Sequence, residues 1–220
     1  MQIKRLQQTA AVALIAVLGA SAMLSSASVE AKAAKAKSKP APAKKAKPKQ
    51  TPGGANQVEG LNGKIGQMLF DGKWRFQVQD VSQVDTYKLK VPSSEQDYAK
   101  YHDVAEEDLD THTFTPKEGY TFIAVQCLVK NGQNKVQQLD AYLNDPKTGL
   151  ADDQGNSYPP IIYDMHSKGA WVTKPLLPGS QATMTVLFAV PTGTKPKDLV
   201  FTLKNWSDSK GHDARVSLAK

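Results

Sequence analysis

Near residue 50 the chain changes character, and the change decides which part of it can fold. Before it stand an apolar stretch and then a tract of lysine, alanine and proline. After it come strand-sized apolar runs cut by Gly, Pro, Asn and Asp. The tract from Ala31 to Gly54 holds almost no large apolar residue. It buries too little surface to offset the entropy of ordering a chain, so disorder is expected there. Pro40, Pro42, Pro48 and Pro52 favour extended polyproline segments, and the lysines repel one another.

The first residues read as a secretory signal, assigned to residues 1–27. Lys4 and Arg5 form its positive end, and Ala10 to Ala20 is an apolar core too short to span a bilayer comfortably. Ala20-Ser21-Ala22 fits a small-x-small cleavage pattern, with Ser25-Ser26-Ala27 and Val29-Glu30-Ala31 as alternatives, so the cut falls between 22 and 31. The competing reading is an uncleaved anchor, which the short apolar run and the small residues after it disfavour. No Cys lies near the cut, which argues against a lipid anchor. No second long apolar run follows, so no membrane-spanning segment is expected in the mature chain.

The net charge of +7, from 28 Lys and Arg against 21 Asp and Glu, belongs to the tail. Lys32, Lys35, Lys37, Lys39, Lys44, Lys45, Lys47 and Lys49 stand in residues 31–50 without an acid among them. Setting these eight aside with Lys4 and Arg5 leaves 18 basic residues; setting Glu30 aside leaves 20 acidic ones, a net of −2. Residues 28–56 therefore read as a cationic linker. It is either a spacer or a contact for polyanions such as wall polymers, lipid head groups or nucleic acid. Lysine without arginine or aromatic residues gives charge without base readout, so sequence-specific nucleic-acid binding is not expected.

Residues 57–205 have the length of one domain with a proper core. Asp71-Gly72 is a hairpin turn signal between Gln67–Phe70 and a strand in which Trp74, Phe76 and Val78 alternate with Arg75, Gln77 and Gln79. That strand is expected to run on through Val81 and Val84 towards Tyr87–Val91. The clearest strand is Tyr120 to Val129, with Ile123, Val125, Cys127 and Val129 on one face. Val136–Leu143, Tyr158–Tyr163, Trp171-Val172, Ala182–Val190 and Leu199–Leu203 are further candidates. Asp152–Asn156 and Leu177–Ser180 are turns. Seven or eight short antiparallel strands so punctuated predict an all-β immunoglobulin-like sandwich. Residues 206–220 read as a tail or an extra edge strand.

Particular motifs carry a resemblance. Pro116-x-x-Gly119-x-x-Phe122-Ile123-Ala124-Val125 runs into Val129-Lys130-Asn131. Later come Leu177-Pro178-Gly179, then Val186-Leu187-Phe188-Ala189-Val190-Pro191 and Leu199-Val200-Phe201, with Asp153-x-Gly155-x-x-Tyr158 between the two sets. In this order they resemble the secreted bacterial immunoglobulin-like domain of unknown function 4352 type, over roughly residues 58–204. The wider superfamily includes telokin-like and mycobacterial immunoprotein sandwiches. The resemblance implies a fold and an exported location, and no catalytic residue. Members often carry a lipoprotein Cys after the signal, which this chain lacks.

Pro92 to Glu118 reads as a long connection without a strand pattern. Ser94-Glu95-Gln96-Asp97 resembles a helix-capping box, and Tyr98, Tyr101 and Val104 recur at helical spacing, so a short amphipathic helix is expected there. The segment also gathers acids and two histidines. His102, Asp103, Asp110 and His112 are its candidate ligands for zinc or calcium, although their spacing matches no EF-hand or closed zinc site. Acid runs are ordinarily solvated faces. Cys127, the single cysteine, permits no internal disulfide and reads as a core residue. His166 and His212 read as isolated and exposed. Trp74, Trp171 and Trp206 read as core or rim packing before a carbohydrate platform. Asn205-Trp206-Ser207 is a formal glycosylation sequon.

Neither a nucleophile elbow, a zinc-protease helix, a phosphate loop nor a dinucleotide fingerprint is present. A dispersed triad is recognised only by geometry, so it stays open at this point. No enzyme and no cofactor are expected. The sequence predicts an exported, non-enzymatic binding module of the periplasm, cell envelope or extracellular space. Its partner would be a protein or envelope polymer. Alternatives are a structural envelope spacer and a metal-binding protein using the acidic 92–118 segment.

Overall fold

The computed structural model describes residues 54, 56–90, 103–142, 147–165, 171–203 and 211–219. The chain divides into two units, Met1–Lys44 and Lys45–Lys220, and every described residue belongs to the second. The signal, the lysine tail, the expected capping box and helix residues Ser94 to Tyr101, His102, His166 and the sequon lie outside the described residues. All regular structure among the described residues is β.

Two sheets form a sandwich. The larger runs β1 (Gln57–Glu59), β3 (Met68–Phe70), β4 (Trp74–Val84), β8 (Tyr120–Asn131), β14 (Gln181–Pro191), β12 (Ile162–Asp164), numbered in chain order. The smaller runs β11 (Ser157–Tyr158), β10 (Gly149–Asp152), β15 (Pro196–Leu203), β16 (His212–Ser217), β2 (Asn62–Lys64). A ribbon of β9 (Gln137–Tyr142) with β13 (Trp171–Leu176), and a small sheet ordered β5 (Tyr87–Lys88), β7 (Thr113–Pro116), β6 (Ala105–Asp108), complete it. The described strand segments outnumber the seven or eight expected. The surplus consists of pieces two to four residues long, which hold too little periodicity to read.

The long strands form where apolar residues alternate without a break. Val129, Cys127, Val125 and Ile123 of β8 stand opposite Ala182, Met184, Val186 and Phe188 of β14. Phe76 of β4 lies beside Val129 and stacks on Phe201 of the opposite sheet, rings 4.8 Å apart and 14° from parallel. Tyr163 of β12 meets Phe201 edge-on at 6.3 Å. These contacts fix the inner face of the larger sheet, and hydrophobic burial between the sheets is its main source of stability. Gln79 is the extra residue of a bulge between Val78 and Asp80, which bends β4 and resets its pairing with β8.

The pleat then assigns Ile162, Asp164, Thr185, Leu187, Ala124 and Phe122 to the outer face. That face is also buried, and the reason corrects one expectation. The segment after β4 crosses over it: Tyr87 donates its hydroxyl to Asp164 at 2.7 Å, and the Lys90 amide donates to the same oxygen at 3.1 Å. Phe114, cross-strand neighbour of Tyr87, is fully buried. Thus the 92–118 segment, expected to lack strands, contributes β6 and β7 to a third layer, and Val104 lies in a turn before β6.

Arg75, expected on a polar face, is 1% exposed. Its guanidinium lies over the Phe70 ring at 4.4 Å, and its Nε donates to Gln57 at 2.6 Å. Burial lowers its pKa and the nearby charge of Glu59 raises it; an arginine remains protonated under both.

At the C-terminal end, β16 pairs antiparallel with β15 on one side and parallel with β2 on the other. The segment 212–217 is therefore an inner strand of its sheet, and the short β2 forms the edge.

Candidate functional site

The acidic candidates sit on the β6–β7 hairpin. Its two strands pair Ala105 with Pro116 through Asp108 with Thr113, placing Glu107 towards the core and Glu106 and Asp108 towards water. Asp108 caps the turn by accepting the backbone N–H groups of Asp110 at 2.9 Å and Thr111 at 3.3 Å. Hydrogen bonds from the Thr111 side chain, then from these two amides, hold its carboxyl below the usual aspartate range. His112 closes the turn in a left-handed conformation, φ 52°, with Nδ1 3.3 Å from Glu107.

Asp103 and Asp110 are exposed in separate turns. Asp110 contributes its amide to the turn cap, and His112 is engaged by Glu107. Among the described residues no group of three or more His, Cys, Asp or Glu is placed to hold a metal ion. The Asp110 amide and the His112 ring thus take part in the β6–β7 turn.

Three buried polar side chains organise the sandwich. Asn131, at the end of β8, donates from Nδ2 to the carbonyls of Lys135 at 2.7 Å and Leu176 at 2.9 Å. Its Oδ1 accepts the Gln133 amide at 2.9 Å. It therefore joins the β8–β9 turn to the end of β13. Asp164 anchors the third layer as described above. Burial pushes the Tyr87 hydroxyl well above its ordinary pKa, so it stays protonated and able to donate to Asp164.

Asp152, in the turn leaving β10, accepts the Gln154 and Asn156 amides at 3.0 and 2.7 Å, the Asn156 side chain at 2.8 Å and the Tyr158 hydroxyl at 2.9 Å. Burial acts to raise its pKa, but the donors outweigh that and leave it below the usual value. A depressed carboxyl stabilises the fold fully above the unfolded aspartate range, and this is lost as pH falls through the folded value. Asp152→Asn is expected to lower stability at neutral pH and to shrink the difference from wild type in acid. Urea melts at both conditions check this.

The remaining sequence candidates separate. Cys127 is completely buried on the inner face, and burial pushes its thiol pKa well up. A thiol reagent is expected to modify nothing in the folded protein and one cysteine after denaturation; rapid modification of the native chain is the opposing result. His212, expected to be isolated, pairs through Nδ1 with Asp71 at 2.8 Å and ties the β3–β4 turn to the start of β16. Asp71 is already engaged through its other oxygen with the Lys73 and Trp74 amides. Trp74 is 1% exposed and lies inside the sandwich, so it forms no surface platform; its indole N–H finds no acceptor among the described residues. Trp171 starts β13, and Trp206 lies outside the described residues.

The motif turns have the geometry their residues demand. Tyr120 N–H bonds to the Lys117 carbonyl around Gly119, φ 85°, and Ser180 N–H bonds to the Leu177 carbonyl around Gly179, φ 73°. Both need a residue free to adopt positive φ, and glycine is that residue. The family described as "Domain of unknown function (DUF4352)" matches residues 63–211. The chain belongs to this family. The DUF4352 match covers both glycine turns and the paired strands β8 and β14.

No curated protein sequence matches the chain. Among solved structures, it is similar to an uncharacterised β-sandwich protein from Clostridium difficile 630, at 11% identity over 77% of this chain and 100% of that one, TM-score 0.41. It is similar to the yjhA protein from Bacillus subtilis, at 17% identity over 71% and 99% of the two chains, TM-score 0.43. A conserved hypothetical protein from Bacillus anthracis matches at 15% identity over 69% and 93%, TM-score 0.42.

Proposed function

We propose that this DUF4352 protein is an exported, non-catalytic interaction module, a β-sandwich carried on a lysine tether that contacts polyanions. The observation that supports the reading is where its polar chemistry goes. Asn131, Asp152 and Asp164 are each engaged in structural hydrogen bonds, and the only thiol is buried. Such groups hold strands and turns in place, and the turns at the ends of the sandwich are left to meet a partner. Export is supported by the charged, apolar and small-residue succession of residues 1–31. No helix among the described residues is long and apolar enough to cross a membrane.

Two measurements test this. Mass spectrometry of the protein recovered from its own cells is expected to show an N-terminus created between residues 22 and 31 in an extracytoplasmic fraction; an intact Met1 in the cytosol overturns export. On an immobilised anionic polymer, the mature chain is expected to be retained and released by salt. A variant with all eight tail lysines changed to Gln is expected to run near the void, because the rest of the chain carries a net −2. Equal retention of the two proteins overturns the tail as the contact.

A further inference from the structure

We propose that residues 57–65 form a strap that exchanges between two copies of this chain, so that the side of the sandwich it closes is a self-association surface. The strap runs from the edge of one sheet to the edge of the other. β1 closes the larger sheet beside β3, and β2 closes the smaller one beside β16. Both are parallel pairs of three residues, where the strands that build the core pair antiparallel over much longer runs. Parallel pairing is the less stable kind per residue. No residue from Gln57 to Gly66 is buried, whereas Leu69, Phe70, Ala214 and Val216 in the strands beside it are. The strap therefore gives up little buried surface when it leaves, and local opening starts where burial is least.

What fits the uncovered edges is the strap itself. Gln57 accepts from the buried Arg75 at 2.6 Å, and Gly60 exchanges two backbone hydrogen bonds with Phe70 at 3.0 and 3.2 Å. The Leu61 carbonyl accepts the Arg215 amide at 2.6 Å. A second copy offers the same residues in the same order, so an exchanged strap recovers each of these bonds.

The connection to the rest of the fold suits exchange. Ile65, Gly66 and Gln67 alone separate β2 from β3. They close a β-turn in which the Gln67 amide donates to the Lys64 carbonyl at 3.1 Å and Gly66 takes φ 83°. The far side of the turn is fastened to β4, Gln77 donating to the Gly66 carbonyl at 2.6 Å, so the pivot falls at Ile65 and Gly66. Short hinge loops favour swapping, because they leave no slack chain between the closed and exchanged forms. The closed turn needs the positive φ, and an extended hinge does not. A Cβ at Gly66 meets nothing within 4 Å, so Gly66→Ala strains the closed turn and leaves the packing untouched. With one hinge in each copy, the substitution is expected to tighten dimerisation at least about tenfold.

Self-association of this kind does not depend on the tail's contact with polyanions. Asn62 and Arg215 are exposed partners across β2 and β16, and they report on exchange. A mature chain carrying Asn62→Cys is mixed at high concentration with one carrying Arg215→Cys under mild oxidation, Cys127 being shielded by the fold. A disulfide between position 62 of one chain and 215 of the other is expected, and none where a Glu106→Cys chain replaces the Arg215 variant. With both substitutions in one chain, closing the disulfide internally is expected to hold the protein monomeric in sedimentation. Gly66→Ala is expected to raise the dimer fraction of the unlocked chain. Absence of the 62–215 link, an equal yield at position 106, an unchanged dimer fraction in Gly66→Ala, or a dimer that persists in the locked chain overturns the exchange.

Discussion

Phe201→Ala is expected to lower the free energy of unfolding by about 3–5 kcal/mol, the range for emptying a buried aromatic site. The ring is 1% exposed, stacks on Phe76 from the facing sheet and makes a T-shaped contact with Tyr163 from a third strand. Its removal strips a contact between the two sheets at their centre, and the strands on either side are too well paired to collapse into the space. Small domains are stable by only about 5–15 kcal/mol, so a loss of this size leaves a large unfolded fraction on warming. Phe201→Leu keeps most of the volume and is expected to cost markedly less, with the aromatic contacts as the difference. Urea denaturation with an unchanged slope checks both variants. A loss below about 1 kcal/mol for the alanine variant would place the centre of the core elsewhere.

The same residues show how much of the fold could be read in advance. Tyr120–Asn131 and Gln181–Pro191 are visible as strands because their apolar runs are long and clean. Their sequence does not tell which face is inner, since both are buried, and the contacts of Phe76 and Tyr163 with Phe201 settle it. Arg75 was legible as a charged residue in a strand and therefore as exposed. Its burial depends on Phe70, in the partner strand of a hairpin, and on Gln57, eighteen positions away. The Ala105–Asp108 strand reads as a solvated acid run because three of its four residues are acids. It is a strand because β7 pairs with it and because Ala105 and Phe114 have a sheet face to cover.

The site candidates fared by the same logic. A turn residue such as Asp152 is legible, but the Tyr158 hydroxyl that completes its set of donors is placed by β11. His212 was unreadable as a partner of Asp71, 141 positions earlier, because nothing local hints at a contact between strand ends in different sheets.

Asn131 ties the β8–β9 turn to the end of β13, and Asn131→Ala is expected to cost about 2–4 kcal/mol. The substitution strands two carbonyls, of Lys135 and Leu176, and one amide, of Gln133, at a site that is fully buried. A buried backbone group without a partner costs more than the net worth of the bond it lost. Asn131→Asp is the sharper test, because it keeps the shape and replaces the donor with an acceptor aimed at those two carbonyls. The charged form of the introduced carboxylate is disfavoured there, so its folded pKa lies above its unfolded value. A protonated carboxyl restores one donor, and that stability is present below the unfolded carboxyl range and lost as pH rises through the folded value. Relative to wild type, the aspartate variant is therefore expected to improve in acid, and the alanine variant to show no such recovery. Both are also expected to loosen the turns carrying Val136 and Leu177, seen as faster amide hydrogen exchange at residues 132–136 and 176–180 than in the β6–β7 hairpin. Parallel pH profiles for the two variants would mean that Asn131 acts by its volume and not by its donors.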